Sequence, residues 1–151
     1  MTQTIIQSAT FIVYVAFIIY RFGVLPSISE SWYMLPRKFN FLFTLFTWGI
    51  GIPMLFYGNP FLFISGAALT FVGVATQFKT TQAFTKQVHY IGALIGVSVP
   101  LFYFGFSLNN WIPLNMQIVG IMIIALTTTP NKIWWVEIVA FVCVLFGLIN
   151  L

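Results

Sequence analysis

Apolar residues run along this chain in six long stretches that short polar segments separate. An α-helix needs about 20 predominantly apolar residues to cross the ~30 Å hydrocarbon layer of a membrane. The stretches come close to that length, so the pattern predicts six transmembrane helices, at about residues 4–24, 39–57, 61–78, 88–106, 112–127 and 133–149. We therefore predict an all-α, polytopic integral membrane protein, with residues 1–151 forming one domain, a compact bundle of six transmembrane helices.

Composition supports this class. Hydrophobic residues make up 60% of the chain and charged residues only 5%, whereas a typical soluble domain carries about 25% charged residues. The few cations are spread over short loops, and no basic block with interleaved aromatic residues occurs. The sequence therefore gives no indication of nucleic-acid binding.

The positions of the cations predict an orientation. All six lie in or beside the segments after the first, third and fifth apolar stretches: Arg21, Arg37, Lys38, Lys79, Lys86 and Lys132. Short loops rich in Lys and Arg stay on the cytoplasmic side of a membrane. We therefore expect both termini on the extracytoplasmic side of the plasma or inner membrane. If the cations serve a ligand instead, the orientation can be reversed.

The longest polar break, Pro26 to Lys38, follows the first apolar stretch. Within it, Ser27-Ile-Ser-Glu30 fits a capping box, in which Ser27 accepts a backbone N–H bond and Glu30 reaches back. This pattern predicts a short interfacial helix over Ile28 to Met34. The alternative is that these polar groups line a binding pocket.

Two ionisable residues lie close to the ends of apolar stretches. His89 shares a helix face with Gly92 and Gly96, and small residues on one face indicate close contact between helices. The same spacing places Gly66, Thr70 and Gly73 against a neighbour. Glu137 lies about one turn beyond Trp134, where an unpaired carboxylate is costly. We expect it to be protonated or to have one of these partners: Lys132, Lys79, Arg21 or His89.

The sequence lacks the residues or motifs that several common catalytic and cofactor sites require. A catalytic zinc needs about three protein ligands, but the chain has one His, two acids and one Cys. Phosphate-binding and dinucleotide motifs are absent. A Ser–His–Glu triad is formally available from the serines of the first loop, although no strained G-x-S-x-G turn occurs. We therefore predict no catalytic residue, metal or cofactor.

Two short motifs resemble those of a known family. Pro26-Ser-Ile-Ser-Glu30 is similar to the P-x-I-S signature of the Frag/DRAM family of six-helix membrane proteins, and Val88-His-Tyr-Ile-Gly-Ala93 is similar to its V-H-x-x-G-A. Relatives in that family act in the remodelling of glycosylphosphatidylinositol lipid anchors. The resemblance implies a lipid-linked role, and it implies that the first loop faces the lumen or exterior, opposite to the orientation that the charges favour.

We therefore predict a polar pocket on the face formed by the first, third and fifth loops. It would bind a lipid headgroup or a small anionic ligand through Ser27, Ser29, Glu30, Arg37, Lys38, Lys79, His89 and Glu137. Three alternatives stay open: a channel or transporter for a small solute, a lipid-modifying enzyme that uses His89 with Glu30 or Glu137, and a structural subunit. The expected partners are membrane lipid and either a second copy or another membrane protein.

Overall fold

The computed structural model describes residues 2–75 and 83–151, and in these ranges the protein consists of helices and connecting turns. The seven α-helices are α1 Thr2–Phe22, α2 Ser31–Met34, α3 Phe41–Met54, α4 Pro60–Val74, α5 Ala83–Phe102, α6 Ile112–Leu126 and α7 Lys132–Ile149. A 3₁₀ turn, Ile28–Glu30, precedes α2, and a π turn, Tyr103–Ser107, extends α5. No described residue forms a strand, so the predicted all-α class is confirmed.

Each predicted apolar stretch overlaps one helix of 14 or more residues. Three helices among the described residues, α1, α5 with its π extension, and α7, are long and apolar enough to cross a membrane. The others, α3, α4 and α6, are apolar but have only 14 or 15 residues.

The turn between α3 and α4 follows from local sequence. Pro53 lies in the last turn of α3, and proline removes a backbone donor from a helix. Gly58 then adopts a positive φ of 70°, which residues with a Cβ rarely do. The Asn59 side-chain oxygen accepts hydrogen bonds from the N–H groups of Phe61 and Leu62 at 2.9 and 3.2 Å. Asn59 thus caps α4, with Pro60 in its first turn. The sequence Gly58-Asn59-Pro60 predicts both features, because asparagine favours the N-cap and proline the first helical position.

The helices do not pack with equal closeness. Helix α4 lies between α3 and α5, α1 packs against α3, and α7 contacts α1, α5 and α6. Helix α6 makes its main contact with α7 and touches α5 far less. The bundle is therefore tight on the α3–α4–α5 side and open between α5 and α6.

Glycines make the tight side possible. A Cβ placed on Gly66 of α4 would lie 2.5 Å from the backbone oxygen of Gly51 in α3. On α5, a Cβ on Gly96 would lie 2.6 Å from the Leu69 side chain, and one on Gly92 would lie 3.0 Å from Val72. All three helices therefore approach each other at positions where a side chain would collide.

The Gly66 contact gives a prediction about stability. Alanine normally favours a helix over glycine by about 1 kcal/mol, but the new methyl group would strike the Gly51 carbonyl, which cannot rotate away. We expect Gly66→Ala to destabilise the protein by about 1–3 kcal/mol, the usual range for overpacking, measured by thermal unfolding in detergent. Gly120→Ala is the matched control, because the three atoms nearest to its methyl group would all belong to the Val139 side chain, which can shift more easily than a backbone carbonyl. Equal melting temperatures for the two variants would contradict the backbone contact.

Candidate functional site

The first loop is ordered by its own serines. Ser27 is extended, with φ −153°, and its Oγ accepts a bond from the Glu30 N–H at 3.3 Å, which is one half of the predicted capping box. Ser31 Oγ donates to the Ile28 carbonyl at 2.6 Å. Because that bond uses the only hydroxyl proton of Ser31, Tyr14 of α1 must donate in the 2.5 Å contact between the two hydroxyls. The loop is thereby fastened to α1.

The start of α7 fastens the same loop from the other side. The Glu137 carboxylate accepts a hydrogen bond from the Ile28 N–H at 2.5 Å. The backbone N–H of Trp134 donates to the Pro26 carbonyl at 3.2 Å, and the side-chain amide of Asn131 donates to the Val24 carbonyl at 2.9 Å. These bonds bring the first and fifth loops together at one end of the bundle.

The partner of Glu137 differs from those that the sequence predicts. The structure shows a main-chain N–H, whereas Lys132 lies on the surface and donates to the Ala125 carbonyl at 2.9 Å. The reason is geometric: Lys132 begins α7, and its long side chain turns back onto the end of α6 rather than down towards Glu137. Lys79, another predicted partner, lies outside the described residues.

His89 is buried beside the end of α4. Its Nδ1 lies 3.1 Å from the Ala75 carbonyl oxygen, and its ring centre lies 6.4 Å from that of Phe43. A carbonyl oxygen can only accept, so Nδ1 is the donor in this contact. Ala75 caps the C-terminus of α4, where carbonyl groups lack partners within the helix. His89 therefore links the start of α5 to the end of α4.

A cavity of about 420 Å³ lies between α5 and α6, with further walls from α3, α4, α7 and the first loop. This volume is within the ~300–1,000 Å³ range of ligand pockets. Most of the lining is apolar, and the polar lining residues are Ser29, Thr47, His89, Ser98, Gln117 and Glu137. Several lining residues are also exposed on the outside of the bundle, among them Leu94, Phe102, Ile118 and Ile121. The cavity is therefore open to the side, between two helices.

The cavity brings together three of the residues predicted from sequence: Ser29 of the first loop, His89 of α5 and Glu137 of α7. Ser27 lies behind this wall, with its Oγ 3.1 Å from that of Ser29. Glu30 is partly buried and does not line the cavity.

The predicted cations that the structure describes do not line the cavity. Arg37 and Lys38 are exposed, and the Lys38 ammonium lies 5.0 Å from the centre of the Phe39 ring. Lys79 again lies outside the described residues. Among residues 2–75 and 83–151, the cavity lining contains a carboxylate but no Lys or Arg. The described part of the lining therefore supplies no positive charge for an anion.

Gln117 is a lining residue that the sequence reasoning missed. Its side chain is only 8% exposed, and its Oε1 atom accepts no hydrogen bond from any described residue. An unsatisfied buried polar atom costs roughly 1–3 kcal/mol. The signal was available in the sequence, because a glutamine within an apolar helix tends to face the protein interior rather than lipid.

A second, wider groove of about 1,060 Å³ lies at the opposite end of the bundle, where α1 begins and α7 ends. The Tyr57 hydroxyl at its wall donates to Gln7 Oε1 at 3.2 Å and lies 2.7 Å from Thr4 Oγ1. These polar groups satisfy each other.

No protein-family model, curated protein or solved structure matches this chain. The fold and the cavity are therefore the basis on which the protein can be described. It is an all-helical protein with three described helices long and apolar enough to cross a membrane, and it encloses a largely apolar cavity that opens between two helices.

The contact between Glu137 and the first loop can be tested by substitution. Glu137→Leu removes the acceptor of the Ile28 N–H, so we expect a loss of about 1–3 kcal/mol in stability and faster amide hydrogen exchange at Ile28 and its neighbours. Glu137→Gln keeps a side-chain oxygen at this position and should preserve most of the protection. The measurement is hydrogen exchange of the first-loop peptides followed by mass spectrometry. Wild-type exchange in Glu137→Leu would show that the carboxylate does not hold the loop.

Proposed function

We propose that this chain is a polytopic membrane protein that binds a lipid-like amphiphile in the cavity between α5 and α6. The observation that carries the proposal is the form of the cavity. It is largely apolar and open to the side, and its polar residues Ser29, His89 and Glu137 come from the end where the first loop lies. A lipid could enter laterally, place its chain between the helices and direct its polar end towards these groups.

The arrangement of loops supports six membrane crossings. Hydrogen bonds join the first loop to the start of α7, and the Thr44 hydroxyl near the start of α3 donates to the Gly73 carbonyl near the end of α4 at 2.8 Å. The first loop, the start of α3, the end of α4 and the start of α7 therefore lie at the same end of the bundle, which is compatible with an even number of crossings between these segments. At 1.5 Å per residue, the helices of 14 and 15 residues would be about 21–23 Å long, and their polar turns would lie near the interface.

Hydrogen bonding, rather than charge pairing, would recognise the polar end of the lipid. The sequence pointed to Arg37 and Lys38 as groups that attract an anion, but both lie on the surface away from the cavity lining. They remain suited to anionic headgroups of the surrounding membrane. Both motifs that resemble the Frag/DRAM family supply lining residues, Ser29 from the first and His89 and Ala93 from the second, which is compatible with a lipid-linked role.

Binding fits the contacts better than turnover does. A catalytic triad requires a carboxylate that orients the histidine through one ring nitrogen. Here His89 Nδ1 donates to the Ala75 carbonyl, and Glu137 Oε2 accepts from the Ile28 N–H. Both contacts join the side chains to the backbone and stabilise the fold.

Filling the cavity should remove the lipid. Ala93 lines the cavity, so Ala93→Phe would place a ring inside it, whereas Ile91 is exposed on the same helix and is not part of the lining. We expect Ala93→Phe to lose co-purified lipid by roughly tenfold or more, equivalent to at least about 1.4 kcal/mol, and Ile91→Phe to keep it. Mass spectrometry of lipids extracted from the purified proteins measures this. Equal lipid content in both variants would refute the site, and release of altered lipid products would indicate an enzyme instead.

The orientation of the bundle is a separate part of the proposal. All six cations lie in or beside the segments that follow the first, third and fifth apolar stretches of the sequence, so both termini should be extracytoplasmic. A reporter that is active only in the cytoplasm should therefore be silent when fused after Leu151 and active when inserted after Lys38. The reverse pattern would invert the orientation and agree with the Frag/DRAM resemblance.

A further inference from the structure

Gln117 lies deeper in the bundle than the polar groups beside the first loop. Helix α6 ends at Leu126, α7 begins at Lys132, and the short turn between them places these two ends at a similar level. At 1.5 Å per residue, Gln117 is roughly 14 Å from that end and Glu137 roughly 8 Å. The backbone of Gln117 therefore lies about 6 Å farther from the first loop than the backbone of Glu137.

At this deeper position, the described residues offer Gln117 Oε1 no hydrogen-bond donor. The atom is buried, accepts no hydrogen bond from the described residues, and belongs to a residue that lines the cavity. The His89 Nδ1–H donates to the Ala75 carbonyl, and the Glu137 carboxyl group bonds to the Ile28 N–H, nearer the first loop. The neighbouring lining residues on α6, Leu114, Ile118 and Ile121, are apolar. A molecule in the cavity is therefore the natural source of a donor.

We propose that Gln117 selects the ligand by accepting a hydrogen bond from it, so that the cavity takes a neutral lipid that carries a hydroxyl group. This inference rests on the proposed lipid-binding function and adds the class of lipid. A hydroxyl supplies the donor that Gln117 lacks and carries no charge. A fatty-acid carboxylate offers no donor, and it would meet the Glu137 side chain in a lining without Lys or Arg among the described residues.

Matched long-chain probes test the selection. Purified protein in lipid nanodiscs would bind radiolabelled 1-hexadecanol, which is then displaced by unlabelled 1-hexadecanol, by 1-methoxyhexadecane or by hexadecanoate. The methyl ether retains the chain and the oxygen but lacks the donor. We expect the alcohol to compete roughly 5- to 20-fold better than the ether, as one buried hydrogen bond allows, and hexadecanoate to compete least.

Gln117→Met removes the amide and preserves the approximate volume of the side chain. It should reduce the preference for the alcohol over the ether to less than about twofold, because only the alcohol uses the amide. Asn115→Met is the matched control, since Asn115 is exposed on the same helix and does not line the cavity. It should keep the full preference.

The outcomes separate this inference from the proposed function. Equal competition by alcohol and ether in the wild-type protein, or an unchanged preference in Gln117→Met, would overturn the role of Gln117 while leaving lipid binding intact. If hexadecanol fails to bind but native lipid still depends on Ala93, the lipid class is wrong and the cavity stands. If neither binds, both proposals fail. Should Gln117→Met not fold, the wild-type ratio of alcohol to ether decides alone.

Discussion

The hydrogen bond between the Glu137 carboxylate and the Ile28 N–H fixes the part of the fold on which the cavity depends. An apolar environment offers no water to backbone groups, so a loop that folds against helices must find partners within the protein. Glu137 satisfies Ile28, while Trp134 and Asn131 bond to carbonyls of the same loop. Ile28 and Ser29 line the cavity, so this attachment to α7 holds one wall of the proposed binding site in place.

The shape of the cavity follows from an imbalance in helix packing. Glycines at the facing positions of α3, α4 and α5 bring those three helices nearly backbone to backbone, which replaces hydrophobic driving force where the surroundings are apolar. Helix α6 has its close contact on the other side, where Gly120 meets Val139 of α7. The opposite face of α6 does not pack closely against α5, so the cavity remains between these two helices. The positions of the glycines thus determine both the tightly packed α3–α4–α5 side of the bundle and the open space between α5 and α6.

Local features of the fold could be predicted from sequence, and long-range partners could not. The six helices, the Asn59 cap and the Ser27 cap depend on residues within a few positions of each other. The bond from Ile28 to Glu137 joins residues 109 positions apart, and no periodicity encodes that distance. Helical register correctly placed His89 on a buried face, but only the structure shows that Ala75 is its partner. Gln117 was not predicted because the predicted pocket was built on charged residues, a histidine and the serines beside them, and its side chain carries no charge.

The polar residues of the site divide into two groups according to whether the fold already uses them. Ser27, Ser31, His89 and Glu137 each form a hydrogen bond with a backbone group of the first loop or of the end of α4. Replacing any of them would therefore alter stability as well as binding, which makes loss of function in such variants hard to interpret. Gln117 Oε1 has no structural bond to lose within the described chain. An apolar replacement removes an unsatisfied polar atom and its cost in stability. Gln117 is therefore the position where the proposed ligand recognition can be changed with the least disturbance to the bundle. Selectivity and stability can be measured separately there.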